Sequence, residues 1–217
     1  MVEFVRAHTC LGAPPYVPEL RLWLAEDAFT LWEQTERELG RTELPPPFWA
    51  FAWAGGQALA RHVLDHPHLV AGRRVLDLAA GSGLVAVAAA RAGAAAVTAA
   101  EVDPLAVAAI GLNARANGVA VTALLADLLA DLLAEQLPGP GPEVVLAGDV
   151  FYERSMAERV LRFLDRARGA GASVLVGDPG RTYLPRDRLR AVATCQVPVP
   201  AALEDAEVKQ ATVWRLV

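Results

Sequence analysis

Arg73-Arg74-Val75-Leu76-Asp77-Leu78-Ala79-Ala80-Gly81-Ser82-Gly83 is the stretch on which the fold turns. A short apolar run ends in a carboxylate, a loop of very small residues follows, and Leu84 to Ala90 resumes as an alanine-rich apolar segment. That order predicts a buried strand, a tight turn and a helix N-terminus. Small side chains in such a loop let backbone N–H groups come up against a small ligand.

Outward from this unit the pattern alternates. Strands are expected at 74–78, 96–101, 120–125, 143–148 and 173–177, with helices at 84–92, 104–117 and 153–168. Asp103 before Pro104 reads as a cap and first helical residue, and Gly118 as a stop. Apolar strands alternating with helices predict a mostly parallel sheet covered on both faces. Residues 191–199 and 208–217 form a second kind of pair. The gap between them is too short for a helical crossover, so this last pair is expected to be antiparallel.

Before the opening stretch, residues 18–39 read as one or two amphipathic helices closed by Gly40. Pro45-Pro46-Pro47 is a stiff link into Phe48-Trp49-Ala50-Phe51-Ala52-Trp53, and Gly55-Gly56 starts a helix that ends near Pro67. Gly139-Pro140-Gly141-Pro142 reads as a rigid turn. The whole of 1–217 is expected to be one α/β domain, with 1–66 as a helical and aromatic cover and 67–217 as a Rossmann-like core.

With 217 residues, a net charge of −5 and a pI near 5.4, the chain lacks the basic face that nucleic-acid binding requires. No apolar run approaches the roughly 20 residues of a membrane span, and the first residues lack a signal-peptide pattern. A cytoplasmic protein is expected. Cys10 and Cys195 show no metal or redox spacing and read as reduced, buried thiols. His62, His66 and His68 lack a completing carboxylate or cysteine and read as surface histidines, so no metal site is expected.

Gly81-Ser82-Gly83-Leu84-Val85-Ala86 fits the GxGxxA form of a dinucleotide loop, which keeps a nicotinamide enzyme open. Two features point elsewhere. Asp77 puts a negative charge where a pyrophosphate would approach, and suits a ligand bearing an ammonium and a sulfonium. An antiparallel end to the sheet is ordinary for a class I methyltransferase. Glu101 then ends the second strand, where a carboxylate can accept from a ribose diol, and Asp127 ends the third, where it can accept from an adenine amino group. S-Adenosylmethionine is the expected cofactor. Asp149 and Tyr152 follow the fourth strand, at the sheet edge where such folds hold the reacting groups. A carboxylate there can orient an incoming ammonium, and an aromatic wall of Tyr152 and Trp53 favours cations. Phe151 reads as core, and the arginines between 154 and 168 as a solvated helix face.

The chain resembles the electron transfer flavoprotein β-subunit lysine methyltransferases. The resemblance rests on Val17-Pro18-Glu19-Leu20-Arg21-Leu22, on the block from Pro47 to Leu59, and on Val75-Leu76-Asp77 with its loop. It continues through Gly148-Asp149-Val150-Phe151-Tyr152-Glu153, Gly177-Asp178-Pro179-Gly180-Arg181 and Thr212-Val213-Trp214. It implies a seven-strand methyltransferase fold and methyl transfer from S-adenosylmethionine to lysine nitrogen of a protein, with the flavoprotein β subunit as the expected partner. A small-molecule N-methyltransferase is the alternative. The catalytic pair implied is Asp149 and Tyr152; the cofactor set is Trp53, Asp77, Ala79, Gly81, Gly83, Glu101, Asp127 and Gly148. Two positions depart from the family pattern: Ala79 replaces the first loop glycine, and Ala54 replaces a proline.

Overall fold

The computed structural model describes residues 1–40, 42, 44–130, 140–199 and 207–217. Helix α1 (Val2–His8) leads to two short antiparallel strands, β1 (Cys10–Gly12) and β2 (Leu22–Leu24), and then to α2 (Ala28–Leu39). Helix throughout 18–39 is therefore corrected. Leu22-Trp23-Leu24 pairs as a strand because Trp23 N–H is captured 2.7 Å from the side-chain carbonyl of Asn113, and helix starts only where Asp27 caps Thr30 N–H at 2.7 Å. Gly40 ends α2 in the left-handed region, as expected.

A single 3-10 turn at Phe48–Ala50 carries the aromatic block into α3 (Ala54–Asp65). Ala54 is the first residue of α3, a position that also accepts proline. The alternating units follow: β3 (Arg74–Leu78), α4 (Leu84–Arg91), β4 (Ala96–Glu101), α5 (Pro104–Ala116), β5 (Thr122–Leu125), β6 (Val144–Gly148), α6 (Arg154–Gly169) and β7 (Ser173–Asp178). The chain closes with β8 (Leu189–Pro198) and β9 (Val208–Leu216). The sheet order is β5-β4-β3-β6-β7-β9-β8, and β9 alone runs against its neighbours. Gly139 of the expected turn, and most of the connection between the last two strands, lie outside the described residues.

The strands read as unbroken apolar runs because both faces are covered. Val75, Val144, Leu146 and Leu175 pack with α3 and α4, while Leu76, Leu78, Val145 and Val174 pack with Val160, Phe163 and Leu164 of α6. A third cluster joins Val5, Leu31, Trp49 and Phe51 to Leu105, Ala109 and Leu112 of α5, which seats the N-terminal segment on the sheet's helical layer. Three expectations about single residues are corrected here. His62 is buried in α3 beside Val63, whereas Cys10 is exposed and Cys195 half-buried; both cysteines are free thiols.

Helix α3 begins in direct backbone contact with the ends of β6 and β7. A Cβ on Gly177 would collide with the Gly55 carbonyl oxygen and come 2.8 Å from Leu59 Cβ; one on Gly148 would come 2.9 Å from Gly56 Cα. Glycines at 55, 148 and 177 thus let a helix N-terminus lie against two strand ends with no side chain between. Strand order reverses between β3 and β6, and the carboxyl ends of β3, β4, β6 and β7 open on one edge of the sheet.

Candidate active site

That edge holds a cavity of about 600 Å³, floored by the loop after β3 and walled by the aromatic block and the start of α6. All ten residues expected to carry the chemistry border it except Gly83, which turns the loop from beneath: Trp53, Asp77, Ala79, Gly81, Glu101, Asp127, Gly148, Asp149 and Tyr152 line its wall. Gly83 takes φ +75°, and a Cβ there would come 2.9 Å from Ile110 Cγ1 of α5, so only glycine lets the loop sit this close to the helical layer. Ala79 adopts φ +53°, a left-handed conformation that costs a residue with a Cβ about 1–2 kcal/mol.

Three acids stand at the ends of three strands, Asp77 and Glu101 within β3 and β4 and Asp127 two residues past β5. Asp77 is fully buried, accepts from Ala86 N–H at 2.8 Å, and is pushed up to about 8 by burial, against the pull of that N–H. Glu101 is also raised by burial; its two oxygens accept from Gly81 and Val102 N–H, each at 2.9 Å. Asp127 accepts from Leu129 N–H and pairs with Arg159 at 2.7 Å. Arg159 corrects the reading of the α6 arginines as a wholly solvated face, because this one turns its guanidinium to the cavity wall.

At the other end of the cavity Asp149 is buried with φ +54°. Its Oδ2 accepts from Gly56 N–H of α3 at 2.9 Å, so it caps that helix from another element and not the helix that follows it in sequence. Its Oδ1 accepts from Arg181 at 2.9 Å. Burial still pushes its carboxyl up to about 6, with the Arg181 guanidinium and the Gly56 N–H opposing. Arg181 is set by a tight turn in which Asp178 Oδ1 accepts from Gly180 and Arg181 N–H at 2.6 and 2.7 Å. The same guanidinium lies 5.7 Å over the Trp53 ring. Tyr152, 44% exposed, forms the mouth, and burial on its inner side together with Glu101 and Glu153 raises its phenol. Phe48 stands between the two expected aromatics, 5.8 Å from Trp53 and 5.5 Å from Tyr152. Sequence reasoning placed Phe48 in the block but gave it no role in the wall.

The donor set suits a cation. Two buried carboxyls, both raised by burial, resist ionising without a countercharge, and a sulfonium with an ammonium supplies it. The glycine-turned loop gives the close backbone approach that the rest of such a ligand needs. Among solved structures the fold is shared by a putative RNA methyltransferase from Pyrococcus horikoshii (TM-score 0.57, 15% identity, 81% of this chain and 91% of that one). It is shared too by the Pyrococcus abyssi tRNA (uracil-54, C5)-methyltransferase in complex with S-adenosyl-L-homocysteine (TM-score 0.51, 15% identity, 72% and 38% covered). The profile of the ribosomal protein L11 methyltransferase (PrmA) family matches residues 58–147. Fold and site together define an S-adenosylmethionine-dependent methyltransferase of class I. The electron transfer flavoprotein beta subunit lysine methyltransferase of Xenopus laevis is 37% identical over 183 residues, covering 82% of this chain and 70% of that protein. The chain belongs to the electron transfer flavoprotein beta subunit lysine methyltransferase family.

Proposed function

We propose that this enzyme methylates the side-chain nitrogen of lysine on a protein, and that its substrate is an electron transfer flavoprotein β subunit. The observation that carries the reading is the buried Asp149 carboxylate behind an aromatic mouth that opens to solvent. Phe48 and Tyr152 are exposed large aromatics lining that mouth, as suits an acceptor presented on a macromolecule better than a small amine sealed inside. The names of the relatives support the same substrate class.

In this reading the donor, when bound, supplies an electrophilic methyl group. Asp77 faces its ammonium, Glu101 its ribose diol, and Asp127 with Arg159 the adenine end; Gly81 and Gly83 shape the loop beneath, with Ala79, Gly148 and Trp53 completing the wall. Asp149 accepts a hydrogen bond from the acceptor nitrogen and fixes its line of approach. Phe48, Trp53 and Tyr152 flank the aliphatic stem and exclude water. Alignment of this kind provides most of the acceleration in a displacement that needs no proton transfer at the transition state.

Incubating the enzyme with isotopically labelled S-adenosylmethionine and the flavoprotein β subunit of the same organism tests the proposal. Methyllysine located in that protein by mass spectrometry is the expected result; label in small amines and in no protein overturns it. The chain's single lysine, Lys209, makes self-labelling easy to exclude with K209R.

Asp77 offers a separate check. Its folded value of about 8 lies above its ordinary 3.8, so its stabilising contribution is complete below about pH 4 and is lost as pH rises through 8. Asp77→Asn keeps an oxygen for Ala86 N–H and removes the charge. The ligand-free variant is therefore expected to melt no lower than the parent at pH 8–9, yet to bind S-adenosylhomocysteine roughly 10- to 100-fold more weakly. Calorimetric titration and thermal unfolding measure the two halves. Unchanged affinity would leave Asp77 only its bond to the loop.

A further inference from the structure

Methyl transfer needs the lysine lone pair, yet a free lysine amine with a pKa near 10.4 is almost wholly protonated at neutral pH. Nothing in the assigned site is a strong base. Asp149 is the nearest carboxyl, and it favours the protonated acceptor. The answer lies in what Asp149 already holds. Its Oδ2 is taken by Gly56 N–H, and its Oδ1 by Arg181 Nη2 at 2.9 Å and Nε at 3.3 Å. An acceptor nitrogen docking on Asp149 must share Oδ1 with that guanidinium, which leaves the two groups about 3–5 Å apart.

Resting on the lysine reading above, we propose that Arg181 is a fixed cation that drives the acceptor lysine into its neutral, nucleophilic amine. A guanidinium does not lose its proton in a protein, so of two cations sharing one carboxylate oxygen the ammonium is the one that gives way. Arg181 is well held for this task. Its backbone N–H is bound by Asp178, its side chain is mostly buried, and its guanidinium lies over Trp53. Among the described residues the other charged and titratable groups at this corner include Asp178 behind Asp149, Arg186 against Gly180, Tyr152 and Glu153 across the mouth with Glu101 beyond them, and Lys209 of β9 at the recess beside Arg181. The proton leaves to solvent past the exposed Tyr152 edge. The amine lone pair then forms the new N–C bond while the C–S bond of the donor breaks; sulfur departs as a neutral thioether, and the positive charge ends on the methylated nitrogen. Arg181 acts through the acceptor's charge state and is a positioning residue.

The test is the ratio of Arg181→Gln to parent activity on the flavoprotein β subunit, read from pH 7 to pH 10 at saturating donor. Loss of the neighbouring cation is expected to raise the acceptor's apparent pKa by one to two units, so the ratio is about 0.01–0.1 at pH 7 and climbs toward 1 by pH 10. Asp149 also becomes easier to protonate without Arg181, so part of the loss at the acid end belongs to that carboxyl, and the acceptor's share is read from the alkaline end of the profile. Arg181→Lys keeps a cation and is expected to keep the parent profile. S-Adenosylhomocysteine titration of each variant reports an intact donor site independently of activity. A ratio that stays flat with pH assigns Arg181 a structural role and overturns the proposal. So does a glutamine variant more active than the parent at pH 7, which would make the guanidinium a competitor for Asp149. If the parent itself labels no protein at any pH, the lysine reading fails and this proposal with it.

Discussion

Replacing Asp149 by asparagine is expected to lower kcat/KM for lysine methylation by about 100-fold or more while leaving S-adenosylhomocysteine affinity within about threefold. The asymmetry follows from where the two carboxylate oxygens go. Asparagine retains an oxygen for Gly56 N–H, so the start of α3 stays capped and the cavity keeps its wall. What is lost is the charge that orients the acceptor nitrogen and holds Arg181 in place. The parent enzyme carries a signature of the same group. Because burial pushes Asp149 up to about 6, activity limited by its ionised form is present above that pH and is lost as pH falls through it. In the asparagine variant that component of the acid limb disappears, leaving the rise that follows deprotonation of the acceptor amine. Steady-state rates from pH 5 to pH 9, beside calorimetric titration of the product, measure both effects. Near-parent activity would reduce Asp149 to a helix cap, and a parallel loss of product affinity would move its role to the donor.

The largest effect on folding is expected from a single methyl group. Gly177→Ala places a Cβ against the Gly55 carbonyl oxygen and Leu59 Cβ, both in the first turns of α3. Neither neighbour is the end of a flexible side chain, so the helix must move or the strand must bend. Such overpacking is expected to cost about 3 kcal/mol or more, lowering Tm by roughly 6–12 °C. The damage also reaches the chemistry, since Gly177 O accepts from Asp149 N–H at 2.9 Å and Gly56 N–H holds Asp149's carboxylate. Thermal unfolding beside turnover at 20 °C checks it: both are expected to fall. A variant that melts with the parent would show that α3 can slide on the sheet.

Most of the sheet was legible because its strands announce themselves in two ways at once. Arg74–Leu78 and Ala96–Glu101 form as expected, each an apolar run that a carboxylate or a small-residue loop terminates. The helices differ by a residue or so at their ends, and the antiparallel closing pair followed from a connection too short to cross the sheet. The N-terminal cover was less readable. Three-residue strands such as Leu22–Leu24 have no periodicity to detect, and this one pairs with Cys10–Gly12 on one edge while Asn113, some ninety positions away, accepts from Trp23 N–H on the other. The site divides in the same manner. Acids at strand ends could be placed by counting along the chain, whereas Asp149–Arg181 and Asp127–Arg159 are pairs 32 residues apart that only the packing of α6 and the β7 turn brings together. Helical spacing showed an arginine-rich face on α6 but not which arginine rotates toward the cavity. Left-handed backbone at Ala79 and Asp149 left no trace either, because neither residue is glycine.

Asn113 has one more consequence. Fully buried in α5, it accepts from Trp23 N–H of the N-terminal hairpin and donates to the Ser82 carbonyl of the loop beneath the cavity at 2.8 Å. A single amide thus serves two masters that lie about sixty residues apart in the chain. Neither can be exchanged alone: a different N-terminal segment, grafted onto the same core, would inherit an amide oxygen with no donor and a loop with a loosened tether. The cover and the loop are therefore coupled through one side chain, and a change in either alters what that asparagine can bridge.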